Sequence, residues 1–229
     1  MISRITMFRK RSDMDSESFG GYMDKVHAEK CLAVPGIYGY EQNLVLLKEK
    51  GDAYSEDVTA DAITIERFKA LYEYEKAVNS KEYKAVEADI PGFAEYSEAY
   101  VCLENVSIPL RPAESYQKKI TLLGRTEEKL SFEDYTREWL VVHSGCMLNM
   151  PADVFFGYNQ HLIIDRLVNG EHVSYERLPS DGILELYYSE AEAVAHAFAA
   201  TPEGQMTVAH RKEFMSRVNP FRVRCKVFK

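Results

Sequence analysis

Hydrophobic positions along this chain change period several times, and the changes come in the same order twice. Ile5 and Met7 alternate with polar neighbours as in a half-buried strand, and Ile120 and Leu122 do the same. Phe19, Tyr22, Met23 and Val26 then recur at helical spacing behind Ser16, with the serine expected as N-cap. Phe132, Tyr135, Trp139, Val142, Cys146 and Met150 repeat that pattern behind Ser131, and both helices stop near a proline, Pro35 or Pro151. Strands are predicted over 36–47 and 154–168, the second ending on Asn169-Gly170, a pair suited to a tight type I′ hairpin. Third strands follow over 61–68 and 182–188. A second helix in each copy carries Leu71, Tyr74 and Val78, or Ala191, Val194 and Phe198, the latter behind a capping box from Ser189 to Glu192. Last strands are predicted over 96–104 and 221–228.

The two series align residue by residue. Phe19, Met23, His27 and Pro35 return as Tyr135, Trp139, His143 and Pro151, all shifted by 116; Gly39-Tyr40 and Gln42 return as Gly157-Tyr158 and Gln160, shifted by 118; Asp61 and Ile63 return as Asp181 and Ile183, shifted by 120. The offset drifts only where loops can lengthen, which makes this an internal duplication. Each copy reads βαββαβ, the arrangement in which two helices cover one face of an antiparallel sheet. The fold class is therefore α+β: tandem ferredoxin-like repeats, residues 1–105 and 118–229. Each unit leaves one sheet face bare, and the two bare faces are expected to bury against each other within one chain. The segment 105–117, with Pro109 and Pro112, reads as an extended linker.

Composition narrows the classes of function. The chain has 229 residues, 46% hydrophobic and 28% charged, ordinary for a globular protein. Net charge is −8, with 14 basic and 21 acidic residues in 1–114 and 14 and 15 in 115–229. The one dense basic cluster, Arg9-Lys10-Arg11, is too short for a phosphate-binding surface, so no nucleic acid is expected as partner. The start has no signal-peptide pattern and no stretch approaches a membrane span, so the expectation is a cytoplasmic protein with no membrane partner. Four cysteines without a CxxC pair read as small buried hydrophobes.

Candidate chemistry sits at matched positions. His27 and His143 lie on the apolar stripes of their helices, where a ring nitrogen has to find a partner. A structural histidine copied by duplication gives the same pattern, so the residues alone leave both roles open. Tyr40 with Gln42, and Tyr158 with Gln160, are two apart on strands and point to one face. If that face lies under the first helix, imidazole, phenol and amide converge on a mostly apolar small-molecule pocket. The pairs His27–Cys31 and His143–Cys146 offer too few ligands for a metal, and no metal site is expected. A phosphate loop, a nucleophile elbow and a dinucleotide fingerprint are all missing. His161, His172, His196 and His210 have no counterpart in the other copy and are expected at the surface, with His161 notable because it follows Gln160.

Phe19-x-x-Tyr22-Met23-x-x-x-His27 with Pro35 and Gly39-Tyr40, and Tyr135-x-x-x-Trp139-x-x-x-His143 with Pro151 and Gly157-Tyr158, resemble the EthD-like family of dimeric α/β-barrel proteins. The second copy is the fuller match, because Trp139 and the stretch from Asp181 to Tyr188, including Glu185, are typical. The resemblance implies ferredoxin-like units whose sheets pair into a barrel, here an intramolecular one, and leaves room for a homodimer of the two-domain chain. It implies a cofactor-independent enzyme that transfers a proton on a small aromatic or lactone-like metabolite, as an isomerase, cyclase or dehydratase. Alternatives are an oxidoreductase or accessory role of the EthD type and a non-catalytic binder of a hydrophobic ligand. It places His143, His27, Tyr158 and Tyr40 as catalytic residues, and Gln160, Gln42, Trp139, Met23 and Tyr22 as substrate-binding ones.

Overall fold

A computed structural model describes residues 1–50, 58–126 and 130–229. The first repeat contains β1 (Ile2–Lys10), α1 (Ser16–Tyr22) running through a π-helical turn (Met23–His27) into α2 (Ala28–Ala33), β2 (Gly39–Lys48), β3 (Ala62–Phe68), α3 (Leu71–Val78), α4 (Lys81–Asp89) and β4 (Ala94–Ile108). The second contains β5 (Gln117–Arg125), α5 (Phe132–Arg137), a π-helical turn (Glu138–His143), α6 (Ser144–Leu148), β6 (Phe155–Val168), a short β7 (Glu171–His172), β8 (Gly182–Tyr188), α7 (Ala191–Ala200), α8 (Pro202–Phe214) and β9 (Met215–Val227). Asn169 and Gly170 both take positive φ, 49° and 85°, as the β6–β7 hairpin requires.

Local chemistry corrects several expected boundaries. Asp15, not Ser16, caps α1, its carboxylate accepting from Ser18 N at 2.7 Å. Ser131 caps α5 as expected, accepting from Asp134 N. The box at Ser189 does not form: α7 begins after Glu190, without a side-chain cap. The single second helix expected in each repeat is two, and the later ones are capped alike, by Ser80 in α4 and by Thr201 in α8. Asn105 to Ile108 belong to β4 rather than to a linker.

The strands run in the order β4-β1-β3-β2 and then β9-β5-β8-β6, all neighbours antiparallel. The two sheets form the barrel that the family resemblance implied: β2 pairs with β9 (Asn43 opposite Cys225) and β4 with β6 (Glu104 opposite His161), closing eight strands into a ring. Closure satisfies the backbone groups that two open sheets would leave at four edges. Strand alternation sends Ile5, Ile65, Ile120, Ile183, Phe221 and their neighbours inward as the barrel core. The opposite strand faces carry the helices, with a separate apolar cluster under each helix group.

One end of the barrel interior is ionic. Arg67 spans Glu41, Glu104 and Glu185 at 3.4, 2.9 and 2.6 Å; Lys118 pairs with Glu41 and, at 2.5 Å, with Glu185; and His161 joins Ser3 at 2.8 Å and Glu185 at 2.7 Å. His161 is fully buried, which corrects its expected surface position, whereas His172 and His196 are exposed. Burial disfavours the charge on Glu185, but Lys118 and Arg67 outweigh it and hold its carboxyl well below the usual range.

Candidate active site

Both repeat histidines end a π-helical turn. Such a turn carries one extra residue, and its widened carbonyls need partners outside the helix. Gln42 Nε2 donates to Met23 O at 2.8 Å, and Gln160 Nε2 to Trp139 O at 2.7 Å. Gln160 Oε1 also accepts from Asn105, Ser107 and Ser144. The two glutamines are thus struts between strand and helix, Gln160 with both ends of its amide engaged and Gln42 through its Nε2. Tyr40 and Tyr158 do lie on the same strand face, beneath the first helix of each repeat, and both are buried.

The structure does not bring the histidines to the glutamines or tyrosines by hydrogen bonds. His27 Nδ1 instead meets Asp89 Oδ2 at 3.0 Å, and Asp89 also accepts from Tyr22 OH at 2.6 Å and from Lys30. Burial opposes the Asp89 charge, but the bonds from His27, Lys30 and Tyr22 outweigh it, holding the carboxyl well below its usual range. The ring of His27 packs between Phe8 and Phe93, with centroids at 5.7 and 4.7 Å. In this repeat the space beside the histidine is occupied. Arg4 and Glu66 are buried there, and the Arg4 guanidinium lies over the Tyr83 ring, 5.0 Å from its centroid.

The second repeat differs at the same places. Counting from the matched caps Ser80 and Thr201, Asp89 corresponds to His210, Phe93 to Phe214 and Tyr83 to Gly204. His143 Nδ1 meets His210 Nδ1 at 3.3 Å, His210 Nε2 meets Glu138 Oε2 at 3.1 Å, and Phe214 packs on both imidazoles. Here a cavity of about 360 Å³ opens between helices and barrel. His143 and Tyr158 stand in its wall, with their rings 6.5 Å apart, among Leu123, Leu184, Leu186, Val194, Phe198 and Met215; Lys119 and Arg211 are at its rim. Burial, then His210 and Arg211, push the His143 pKa down to about 3, so the ring is neutral at ordinary pH. Burial pushes the Tyr158 phenol up, against the opposing pull of Trp139 and Gln160 beside its hydroxyl, so it keeps its proton.

Trp139, Met23 and Tyr22 are packed in helix-to-sheet clusters rather than in the cavity wall. Asp89 and His210, the partners that decide the histidines' states, were missed from sequence; the signal was the further drift of the repeat offset to 121, readable at Ser80 and Thr201. Among the described residues, Glu104, His161 and Glu185 come close enough to share a metal ion. Arg67 bonds both of those carboxylates, and Lys118 lies against Glu185 as well, so the place is already neutralised and fits a cation poorly. No helix among the described residues is long and apolar enough to cross a membrane.

Residues 11–97 match the family of the EthD domain. The match falls on the first repeat, although the second gave the resemblance its fuller form. No curated protein matches the sequence. Two solved structures, each named "putative monooxygenase", share the whole architecture. That from Fusobacterium nucleatum subsp. nucleatum ATCC 25586 has 10% identity, covers 99% of this chain and 93% of its own, and gives a TM-score of 0.63. That from Lactobacillus acidophilus NCFM has 11% identity, with 99% and 94% covered and a TM-score of 0.59. An anthrone oxidase-like protein follows, at 10% identity, 99% and 92% covered, TM-score 0.57. At such identities the likeness is one of fold.

Proposed function

We propose that this chain, whose residues 11–97 match the EthD domain family, is a cofactor-independent enzyme moving a proton on a small aromatic or lactone-like compound. The reading rests on one observation: a neutral His143 and the side chain of Tyr158 share the wall of an apolar cavity. His143 takes a proton from carbon or oxygen beside a carbonyl or phenol. Tyr158 is the phenol nearest to donate a hydrogen bond to the oxygen that gains charge. Only the second repeat offers this arrangement, so one site per chain is active.

The names of the structural relatives favour a second reading, in which the same deprotonated substrate reacts with dioxygen. Turnover assays over phenols, anthrones and unsaturated lactones, run with an oxygen electrode, separate the two. Proton transfer alone leaves oxygen untouched. In either case His143→Ala should lower the rate by about 10² to 10⁴, the usual worth of a general base, while His27→Ala leaves the rate of folded protein near wild type. Equal losses in both variants, or none in His143→Ala, would overturn the assignment.

A further inference from the structure

His143 is not the end of its hydrogen-bond chain. Its Nδ1 faces His210 Nδ1, and His210 Nε2 faces the Glu138 carboxylate. A carboxylate only accepts, so the proton of His210 sits on Nε2, and a neutral His210 then offers a lone pair at Nδ1. His143 is neutral as well, so it fills that lone pair with its single N–H and keeps Nε2 bare. Nδ1 is turned away from the cavity, toward His210, which borders a different, smaller hollow with Glu138, Leu130, Glu213 and Phe214. Nε2, across the ring, is left for the cavity.

We propose that Glu138 and His210 are positioning residues, which fix His143 in the tautomer that presents an unprotonated Nε2 to the ligand. The inference deepens the function proposed above and rests on it for its meaning, though its geometry stands without a substrate. In the first repeat a carboxylate stands directly at the equivalent nitrogen, Asp89 Oδ2 at 3.0 Å from His27 Nδ1. In the second repeat an imidazole stands where that carboxylate was, and the negative charge has moved one ring outward, to Glu138. His143 thereby keeps its orientation without a charge against it. That keeps the ring neutral in its apolar surroundings.

The test needs no substrate. In protein labelled with ¹⁵N-histidine, two-bond ¹H–¹⁵N correlation at pH 7.5 reports which ring nitrogen of His143 carries the proton. Wild type is expected to show Nδ1–H with bare Nε2. In Glu138→Ala, His210 is released to place its proton on Nδ1, where it would oppose the Nδ1–H of His143, so His143 should shift toward Nε2–H. Glu138→Gln supplies a carbonyl oxygen to the same Nε2–H and should restore the wild-type pattern, which a merely space-filling role would not require. Glu138 is only partly buried, and a thermal melt confirms that both variants fold. Nε2–H in the wild type, or a His143 tautomer unchanged in folded Glu138→Ala, overturns the proposal. Failure of the proposed function reads differently: the tautomers shift as described, yet no compound is turned over.

Discussion

His143 couples stability to pH through its burial. Its folded pKa of about 3 lies below the ordinary 6.5, so between these values the unfolded chain binds the extra proton. The contribution is complete above about pH 6.5 and is lost as pH falls toward 3, by at most about 1.4 kcal/mol per pH unit. Urea midpoints should therefore drop more steeply from pH 7 to 5 in wild type than in His143→Gln; parallel curves would show that this ring is not the source. The histidines were legible in the sequence because a basic ring on an apolar stripe is unusual, and its repetition more so. Their partners were not, because Asp89 and His210 differ in chemistry and lie more than 60 residues downstream. The role of the glutamines was hidden for another reason. Their target is a backbone carbonyl in a π-helical turn, and hydrophobic periodicity does not encode that turn.

At the scale of elements, each first helix is seated on its sheet by a pair matched in size. A Cβ placed on Gly182 would stand 2.2 Å from Trp139 Cζ3, so the indole fits only over glycine. In the first repeat the same pair is Met23 over Ala62. Gly182→Ala should cost about 1 to 3 kcal/mol or more by overpacking, and adding Trp139→Met should recover much of that loss in a double-mutant cycle of unfolding free energies. Simple additivity would mean the two positions are not coupled. The element order along each repeat could be read from periodicity, since apolar alternation and helical stripes report burial on one face. The capping box at Ser189 misled because its Ser-x-x-Glu pattern is only a local preference, and the helix there starts one residue later, after Glu190.

For the whole molecule, facing sheets followed from their bare sides and the barrel from the family resemblance, but the pairing that closes each edge could not be read from the chain. It depends on register between strands far apart in sequence, and on a polar layer whose charges alternate between repeats: Arg67 and Glu41 from the first, Lys118 and Glu185 from the second. Lys118→Met should leave two buried carboxylates undercompensated and cost about 3 to 5 kcal/mol in chemical denaturation. Since each of the eight barrel strands is bonded to two others round the ring, the chain should melt in one transition whose calorimetric and van't Hoff enthalpies agree. Two resolved transitions would show that the repeats unfold separately. Fusion of the repeats also breaks a constraint that binds every homodimer, in which a substitution made in one subunit is imposed on the other. Here Tyr83 and Gly204, or Asp89 and His210, could diverge independently. One half can be selected as a scaffold and the other as a catalyst, so tolerance to substitution around His27 should follow folding alone, while around His143 it should follow chemistry as well.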